Sequence, residues 1–546
     1  MWFRTTLLAA LVGQLFALSN SPESAPKGTV CVFISSRDPY LSNRLPAIYE
    51  ARKVAKKAGL NFEICLPDAH ENEQSVRAMQ FEYRLPEAKL DLAAETAKKH
   101  AITGPAIALL TPEGNARARI DLKSNLPSTF SSLVLGHSKA ALKPQLNPSY
   151  RFKIVHIPKS VTYYEHVAPI LNRSCVPCHQ KGEIAPFELT NYALAKKWSP
   201  MILRVTHSKT MPPFKAMRGY LPLKSDIALS AAELELLAKW DEQGNPEGVL
   251  KSNAPILTPP KREKPDIILD RKRTYRVMPD IGDQTRILPF KTNFSTTKYL
   301  KKVLILPGDR RVVHHVVAFL DTLGHSLKLD GEKGEVGYSA SSGMGFAPLG
   351  ALSGYAPGFD PIPAPKGSAY ELPPGATIAL QVHYSSVGIP VDDNTRIALY
   401  FADEKPKELA VLGIMQSLDT RVEPGDKNGK LHMEFTFDEG TTVYGILPHM
   451  HNIATGIRVR QQNPKQNPFT VVALENWNFG WQQMYEFEKP LVVPKDATWI
   501  CDVSYDNSAD NPNNPNRPPK LVVGGFRTKD EMLLLAYLFT IPFEKP

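Results

Sequence analysis

The chain has 546 residues, a formal net charge of +10, 42% hydrophobic and 22% charged residues. At roughly 100–200 residues per domain this length implies several compact units, and the apolar-to-charged balance excludes a largely disordered chain. Lys and Arg are scattered along the chain, which argues against nucleic-acid binding, while 48 prolines and 33 glycines favour turn-rich β units.

The opening segment MWFRTTLLAALVGQLFALS carries Arg4, an apolar run too short for a comfortable bilayer span, and the small residues Ala17 and Ser19. We expect residues 1–19 to be a secretory signal peptide, giving a periplasmic or secreted bacterial protein; the alternative is an uncleaved anchor. No later stretch reads as a membrane span.

Residues 28–150 run TVCVFIS, a helical pattern through PAIYEARKVAKKAG, NFEICLP, a second helical stretch, PAIALLTPEG and ARARIDL. This βαβ-then-ββ order predicts an α/β domain. The segment ITGPAIALLTPEG, with Pro105 before a central strand, resembles the thioredoxin-like and peroxiredoxin-like folds. Those families place a redox cysteine after the first strand, at a helix N-terminus that lowers its pKa. Here that place holds SSRDPYLSNRLP, without cysteine. The resemblance therefore implies a thioredoxin-like domain lacking redox cysteines, with Cys31 and Cys65 as buried thiols or, alternatively, a disulfide.

Residues 161–248 show three helical patterns, TYYEHVAPILNRS, YALAKKWSPMILRVTHSK and SAAELELLAKWDEQG, the last stopped at Gly244. Between the first two lies Cys175-Val-Pro-Cys178-His179. Two thiols at this spacing add across haem vinyl groups and deliver the adjacent histidine to the iron; no second cysteine pair exists to complete a zinc tetrahedron. We expect one covalent haem c held by Cys175, Cys178 and His179. Met211 of SKTMPPF is the expected sixth ligand, with His207, Met201 and Met217 as rivals. VAPILNRSCVPCH together with TMPPF resembles a bacterial c-type cytochrome module fused to larger periplasmic enzymes, which implies a small all-α cytochrome c domain.

Residues 249–263 read as a Pro-rich linker. Beyond it the apolar period becomes two, through KKVLILPG, VVHHVVAF, ATIALQVHYSS, RIALYF, LHMEFTF, TTVYGIL, TGIRVRQ, FTVVALE and TWICDVSY. We expect two tandem antiparallel β-sandwiches, 264–404 and 408–546, with their seam in ADEKPKE.

In VVHHVVAFLD, the histidines His314 and His315 are adjacent within an apolar strand. A buried imidazole without a partner costs about 1–3 kcal/mol. Alternation sends neighbouring strand residues to opposite faces, so both can reach one ion only if the strand bulges or lies at an edge and another ligand joins them. QVHYSS supplies His383. In LPHMHN, His449 and His451 are two apart and share a strand face. For either pair the alternative is core or surface histidine.

In order, HH, VHY, HxH and TKDEM (528–532) resemble the copper type II, ascorbate-dependent monooxygenases, which include peptidylglycine and dopamine β-hydroxylating enzymes; the resemblance spans residues 264–542. It implies two copper ions. One is held by His314, His315 and His383, and the other, catalytic, by His449, His451 and Met532. A thioether favours Cu(I), and three imidazoles suit a copper that relays an electron. Peptide-amidating relatives carry an arginine where this chain has Leu447 and polar residues where it has Leu534 and Ala536. Leu533 replaces a cysteine, which leaves Cys501 without the family's disulfide partner. These departures argue against peptide amidation and toward an apolar or aromatic group.

The expected function is periplasmic hydroxylation of a C–H bond of a small-molecule substrate with O2. Electrons would come from a periplasmic electron donor through the haem. The competing class is a non-enzymatic haem/copper electron-transfer or copper-binding protein. The loop YDNSADNPNNPNRPPK, 505–520, either borders the copper site or is a solvated turn region.

Overall fold

A computed structural model describes residues 28–38, 40–137, 150–153, 157–181, 183, 185–224, 226–250, 263–279, 283–331, 334–340, 344–356, 361–525 and 527–543. The signal expected at 1–19 and residues 251–262 of the expected linker lie outside the described residues. The chain divides into two compact units, Met1–His156 and Ile157–Pro546. Among the described residues no helix is long and apolar enough to cross a membrane.

The first unit contains strands β1 (Thr29–Phe33), β2 (Asn61–Leu66), β3 (Ala88–Leu90), β4 (Ala106–Leu110) and β5 (Ala116–Asp121), with helices α1 (Leu41–Ala58), α2 (Glu73–Glu82) and α3 (Ser128–Val134). The sheet order is β3-β2-β1-β4-β5, with β1, β2 and β3 parallel, β4 antiparallel to β1, and β5 antiparallel to β4. β1 and β4 are central because TVCVF and AIALL are apolar on both faces, and all but Thr29 of their residues are buried. Helix α1 buries Ala47, Ile48, Ala51, Val54 and Ala55, one helical stripe, and stops at Gly59 with φ 64°. Pro105 directly precedes β4.

After β1, where a redox cysteine was absent from the sequence, a polar clamp holds the chain. The Ser36 hydroxyl and N–H donate to the Glu71 carboxylate at 2.9 Å and 2.7 Å, and Arg44 pairs with Asp38 at 2.6 Å. Cys31 and Cys65 are free, buried thiols with Sγ atoms 3.4 Å apart. Their mutual hydrogen bond and burial push the Cys31 thiol well above its usual range.

The second unit begins with a π-helical turn, Tyr163–Val167, that runs into α4 (Ala168–Ser174), followed by α5 (Tyr192–His207) and α6 (Ala231–Glu242). Helix α6 opens on a reciprocal cap between Ser230 and Glu233, and Glu233 also pairs with Arg173 of α4 at 2.6 Å.

Its principal strands are β6 (Ile267–Leu269), β7 (Asp283–Lys291), β8 (Lys298–Leu306), β9 (Val313–Asp321), β10 (Ala351–Tyr355), β11 (Ser368–Leu372), β12 (Thr377–Ser385) and β13 (Arg396–Phe401). Then come β14 (Glu408–Ser417), β15 (Gly429–Thr436), β16 (Thr441–His449), β17 (Ala454–Gln462), β18 (Phe469–Glu475), β19 (Tyr485–Val493), β20 (Thr498–Tyr505) and β21 (Leu533–Pro542). A 13-stranded sheet starts at the two-residue strand Tyr338–Ser339, runs β7-β12-β9-β10-β14-β11-β8-β13-β6 and continues from β14 through β21, β16 and β19; β15-β20-β17-β18 form a separate four-stranded sheet.

The C-terminal half is thus mostly β, in layers compatible with sandwiches, but one strand belongs to both halves. β14, which starts at the expected seam, pairs with β10 and β11 on one side of it and along its whole length with β21 on the other. Alternation explains how one strand serves two cores. Ala410 joins the core built from β7–β13, and Met415, of opposite parity, joins the core of the later strands.

Residues 214–224 lie along this second β layer. Met217 N–H donates to Ala473 O at 2.8 Å, Lys224 N–H to Glu486 O at 2.9 Å, and Phe214 packs edge-on against Tyr485 at 5.4 Å.

Candidate functional site

Strand β9 solves the adjacent-histidine problem with a bulge. Val313 pairs with Tyr384 of β12, but His315, not His314, pairs with His383. His314 is therefore the extra residue, and the local kink removes the alternation that would send it to the opposite face. The three imidazoles converge: His315 Nδ1 lies 3.3 Å from His314 Nδ1 and 3.3 Å from His383 Nδ1, and all three donor atoms fall within 4.8 Å of one another. A metal–imidazole bond of about 2.0–2.1 Å with tetrahedral angles separates donor nitrogens by about 3.3 Å, so the set fits one metal ion. Burial, reinforced by the surrounding imidazoles, holds His315 well below its usual pKa and so in the neutral, ligating form.

His449 ends β16 and faces Leu534 of β21; Leu447, two residues earlier, faces Ala536. These four side chains share one half-buried strand face, which Ile414 of β14 extends opposite Ala536. Continuing the alternation of β21 by one residue puts Met532 in line with Leu534. Met532 is buried, and its backbone lies beside His451, whose N–H donates to Glu531 at 2.9 Å and whose Nδ1 meets the Asp530 carbonyl at 3.0 Å.

Hydrogen bonds fix which nitrogen each of these two histidines offers. The Asp530 carbonyl only accepts, so His451 Nδ1 carries the proton and Nε2 keeps the lone pair. His449 Nδ1 lies 2.5 Å from Gln482 Oε1, which likewise leaves its Nε2 free for a ligand. Burial, and next the neighbouring His451, lowers His449 to about 3; burial also lowers His451. The HxH pair thus offers Nε2 atoms, whereas the first set converges through Nδ1 atoms.

The two sets adjoin. The rings of His315 and His449 are 6.0 Å apart, and Phe479 touches all five imidazoles, with centroid separations of 5.1 Å (His314), 6.0 Å (His315), 6.1 Å (His383), 6.2 Å (His449) and 5.5 Å (His451). Phe479 and Gln482 lie in the β18–β19 connection, NWNFGWQQM, which the sequence reading passed over. Its signal was available: three aromatic residues clustered in a loop where a polar turn is the rule. Glu531, inside TKDEM, was also missed. Burial pushes it up to about 7, while N–H groups of His451 and Ile453 at 2.9 Å and 2.8 Å hold the backbone around the HxH pair.

Cys175 and Cys178 follow α4 directly, and the N–H groups of Cys178 and His179 both reach the Cys175 carbonyl, which turns the CxxCH segment tightly. His179 Nδ1 meets the Phe187 carbonyl at 3.0 Å, so its Nε2 holds the lone pair an iron needs. Phe187 packs against His179 and stacks on Trp198 at 4.1 Å, which gives the site an apolar wall. These donors fit a covalent haem.

Met211 follows α5, and its N–H donates to Val205 O. Among its rivals, Met201 Sδ already accepts from Arg204 at 2.9 Å, the Met217 backbone is bonded to Ala473, and His207 is exposed at the end of α5. Glu183 of the CxxCH loop pairs at 2.7 Å with Arg310, four residues before His314. The expected loop at 505–520 is anchored at Asn507, which is fully buried and whose amide donates to the carbonyls of Val422, Glu423 and Lys520, while Asp510, Asn513 and Arg517 are exposed.

No family model matches the chain, and no curated protein matches it. Solved structures with some likeness include the STIV MCP (8% identity, TM-score 0.19, 47% of this chain and 97% of that one). The major capsid protein P2 from bacteriophage PM2 is similar at 8% identity and TM-score 0.18, over 48% of this chain and 98% of that one. Likenesses at these scores carry no weight for fold or function.

Proposed function

We propose that the protein is a copper-dependent monooxygenase that hydroxylates a C–H bond of an apolar or aromatic small molecule, using electrons passed through a covalently bound c-type haem. The observation that carries this reading is the convergence of five imidazoles in two sets, with the first meeting through Nδ1 and the second presenting Nε2, next to an apolar strip. Copper held by His314, His315 and His383, and by His449, His451 and Met532, would supply dioxygen activation and one-electron relay when bound. The reaction balances as R–H plus O2 plus two electrons and two protons giving R–OH plus water.

The chain's own side chains shape that chemistry. Leu447, Leu534, Ala536 and Ile414 give the substrate an apolar shelf beside His449 and provide no cation for a carboxylate. Phe479 excludes water from the space between the imidazole sets. The Glu183–Arg310 pair ties the CxxCH loop to the segment leading into the first set, which supports electron entry there.

In this reading residues 161–248 are a cytochrome c module and residues 28–150 a thioredoxin-like scaffold without redox cysteines. The protein works in the periplasm, where covalent haem attachment takes place, and its electrons come from a periplasmic donor. A relay without oxygen chemistry is the competing reading. It is favoured by the 6.0 Å approach of His315 to His449, near enough for direct electron exchange.

Oxygen uptake separates the two. Monooxygenation predicts uptake that rises with an added apolar substrate and reductant and disappears in His449→Ala with the haem spectrum intact. Uptake indifferent to every such substrate would favour the relay.

A further inference from the structure

We infer that Gln482 is a positioning residue, through which the Trp477–Gln482 loop sets the donor atom of His449 and closes the wall around the imidazole cluster. This rests on the copper reading above and adds a residue that no motif assigns.

The inference follows from one side chain with two partners. Gln482 is 6% exposed. Its Nε2 donates to the Phe479 carbonyl at 2.9 Å, and its Oε1 lies 2.5 Å from His449 Nδ1. A backbone carbonyl only accepts, so the amide nitrogen must face Phe479 and the amide oxygen must face His449. That oxygen also only accepts, so the proton of His449 must sit on Nδ1 and the lone pair on Nε2. The turn at Phe479 therefore dictates the tautomer of a proposed metal ligand through one amide.

The same loop is pinned at its other end to the partner histidine, because Trp477 Nε1 donates to His451 O at 2.9 Å. Between these anchors Phe479 lies against all five rings. Loop position, ring orientation and donor atom are thus one mechanical unit. An amide accepting from an imidazole N–H also raises the basicity of the opposite nitrogen.

The test is titration of the haem-loaded, copper-free protein with copper alone, comparing wild type, Gln482→Leu and Gln482→Glu. The Leu variant removes both bonds; the Glu variant keeps an acceptor for His449 but cannot donate to Phe479. Affinity for the second copper is expected to fall about 10–100-fold in Gln482→Leu, the usual scale for losing such a partner, with a changed Cu(II) EPR hyperfine pattern. Gln482→Glu is expected to recover most of that affinity while loosening the loop, seen as faster proteolysis near Trp481. Retention of the first copper by His314, His315 and His383 reports an intact fold in every variant. Wild-type affinity and spectrum in Gln482→Leu, or equal loss in Leu and Glu variants, would overturn the positioning role. A wild-type protein that fails to take two coppers would instead overturn the copper reading itself.

Discussion

His315 and His383 are 68 residues apart in sequence, yet they are direct cross-strand partners with Nδ1 atoms 3.3 Å from each other. The pairing places a donor from β12 beside the two from β9. His383→Ala should lower affinity for one copper by at least about 10-fold, the scale reached even when only a ligand's outer partner is lost. The second copper should stay bound. Copper titration followed by elemental analysis checks both statements; loss of both ions together would show the sets to be one site.

The bulge makes a separate prediction. Deleting His314 leaves Val313 opposite Tyr384 and His315 opposite His383 in regular pairing, so the strand and its faces persist and only one imidazole is lost. The variant should retain its β-sheet circular dichroism and bind the first copper more weakly. His314→Ala, which keeps the bulge and removes the same imidazole, should weaken the first copper to a similar degree, because His315 and His383 converge in both variants; a much larger loss in the deletion would show that the bulge itself positions the other two.

Cysteine chemistry reports on the haem. The chain has five cysteines. With Cys175 and Cys178 consumed as thioethers, three thiols remain, and Cys31, Cys65 and Cys501 are all buried. Burial pushes the Cys501 thiol up to about 12. Native protein should therefore react slowly with an alkylating reagent, and unfolded haem-loaded protein should show three reactive thiols by mass spectrometry. Five would mean no covalent attachment.

Glu233 gives a pH prediction with a definite sign. Burial alone would raise its pKa, but Arg173 and the N–H at Ser230 hold it below the ordinary 4.5. A depressed carboxylate contributes stability that is complete above pH 4.5 and is lost as pH falls through the lower folded value. A glutamine in its place would keep the reciprocal cap, since that side chain also serves there. Glu233→Gln should thus lose about 1.5–3 kcal/mol at neutral pH, the range for a hydrogen bond to a charged group, and show a flatter decline below pH 4.5. Denaturant unfolding followed by far-UV circular dichroism at several pH values measures both.

Much of the β architecture was legible because strand periodicity and turn residues are local. KKVLIL, TTVYGIL and TWICDVSY sit in strands β8, β16 and β20. The donor residues were legible as a set because HH, VHY and HxH are unusual inside apolar strands. What the sequence hid is non-local. Nothing in ADEKPKE announces that the following strand would serve two cores, since that depends on β10 and β21 arriving from either side. Phe479 and Gln482 lie in a loop whose meaning appears only when five histidines from two regions close around it. The bulge at His314 could be required by reasoning but not located, because register is a property of the pair of strands.

As proposed, His314, His315 and His383 hold one copper, and His449, His451 and Met532 another, beside one haem. Elemental analysis of protein matured in a bacterial periplasm and reconstituted with copper tests it directly. Two tightly held coppers for each covalent haem are expected. Folded, haem-loaded protein that retains no copper after desalting would contradict it.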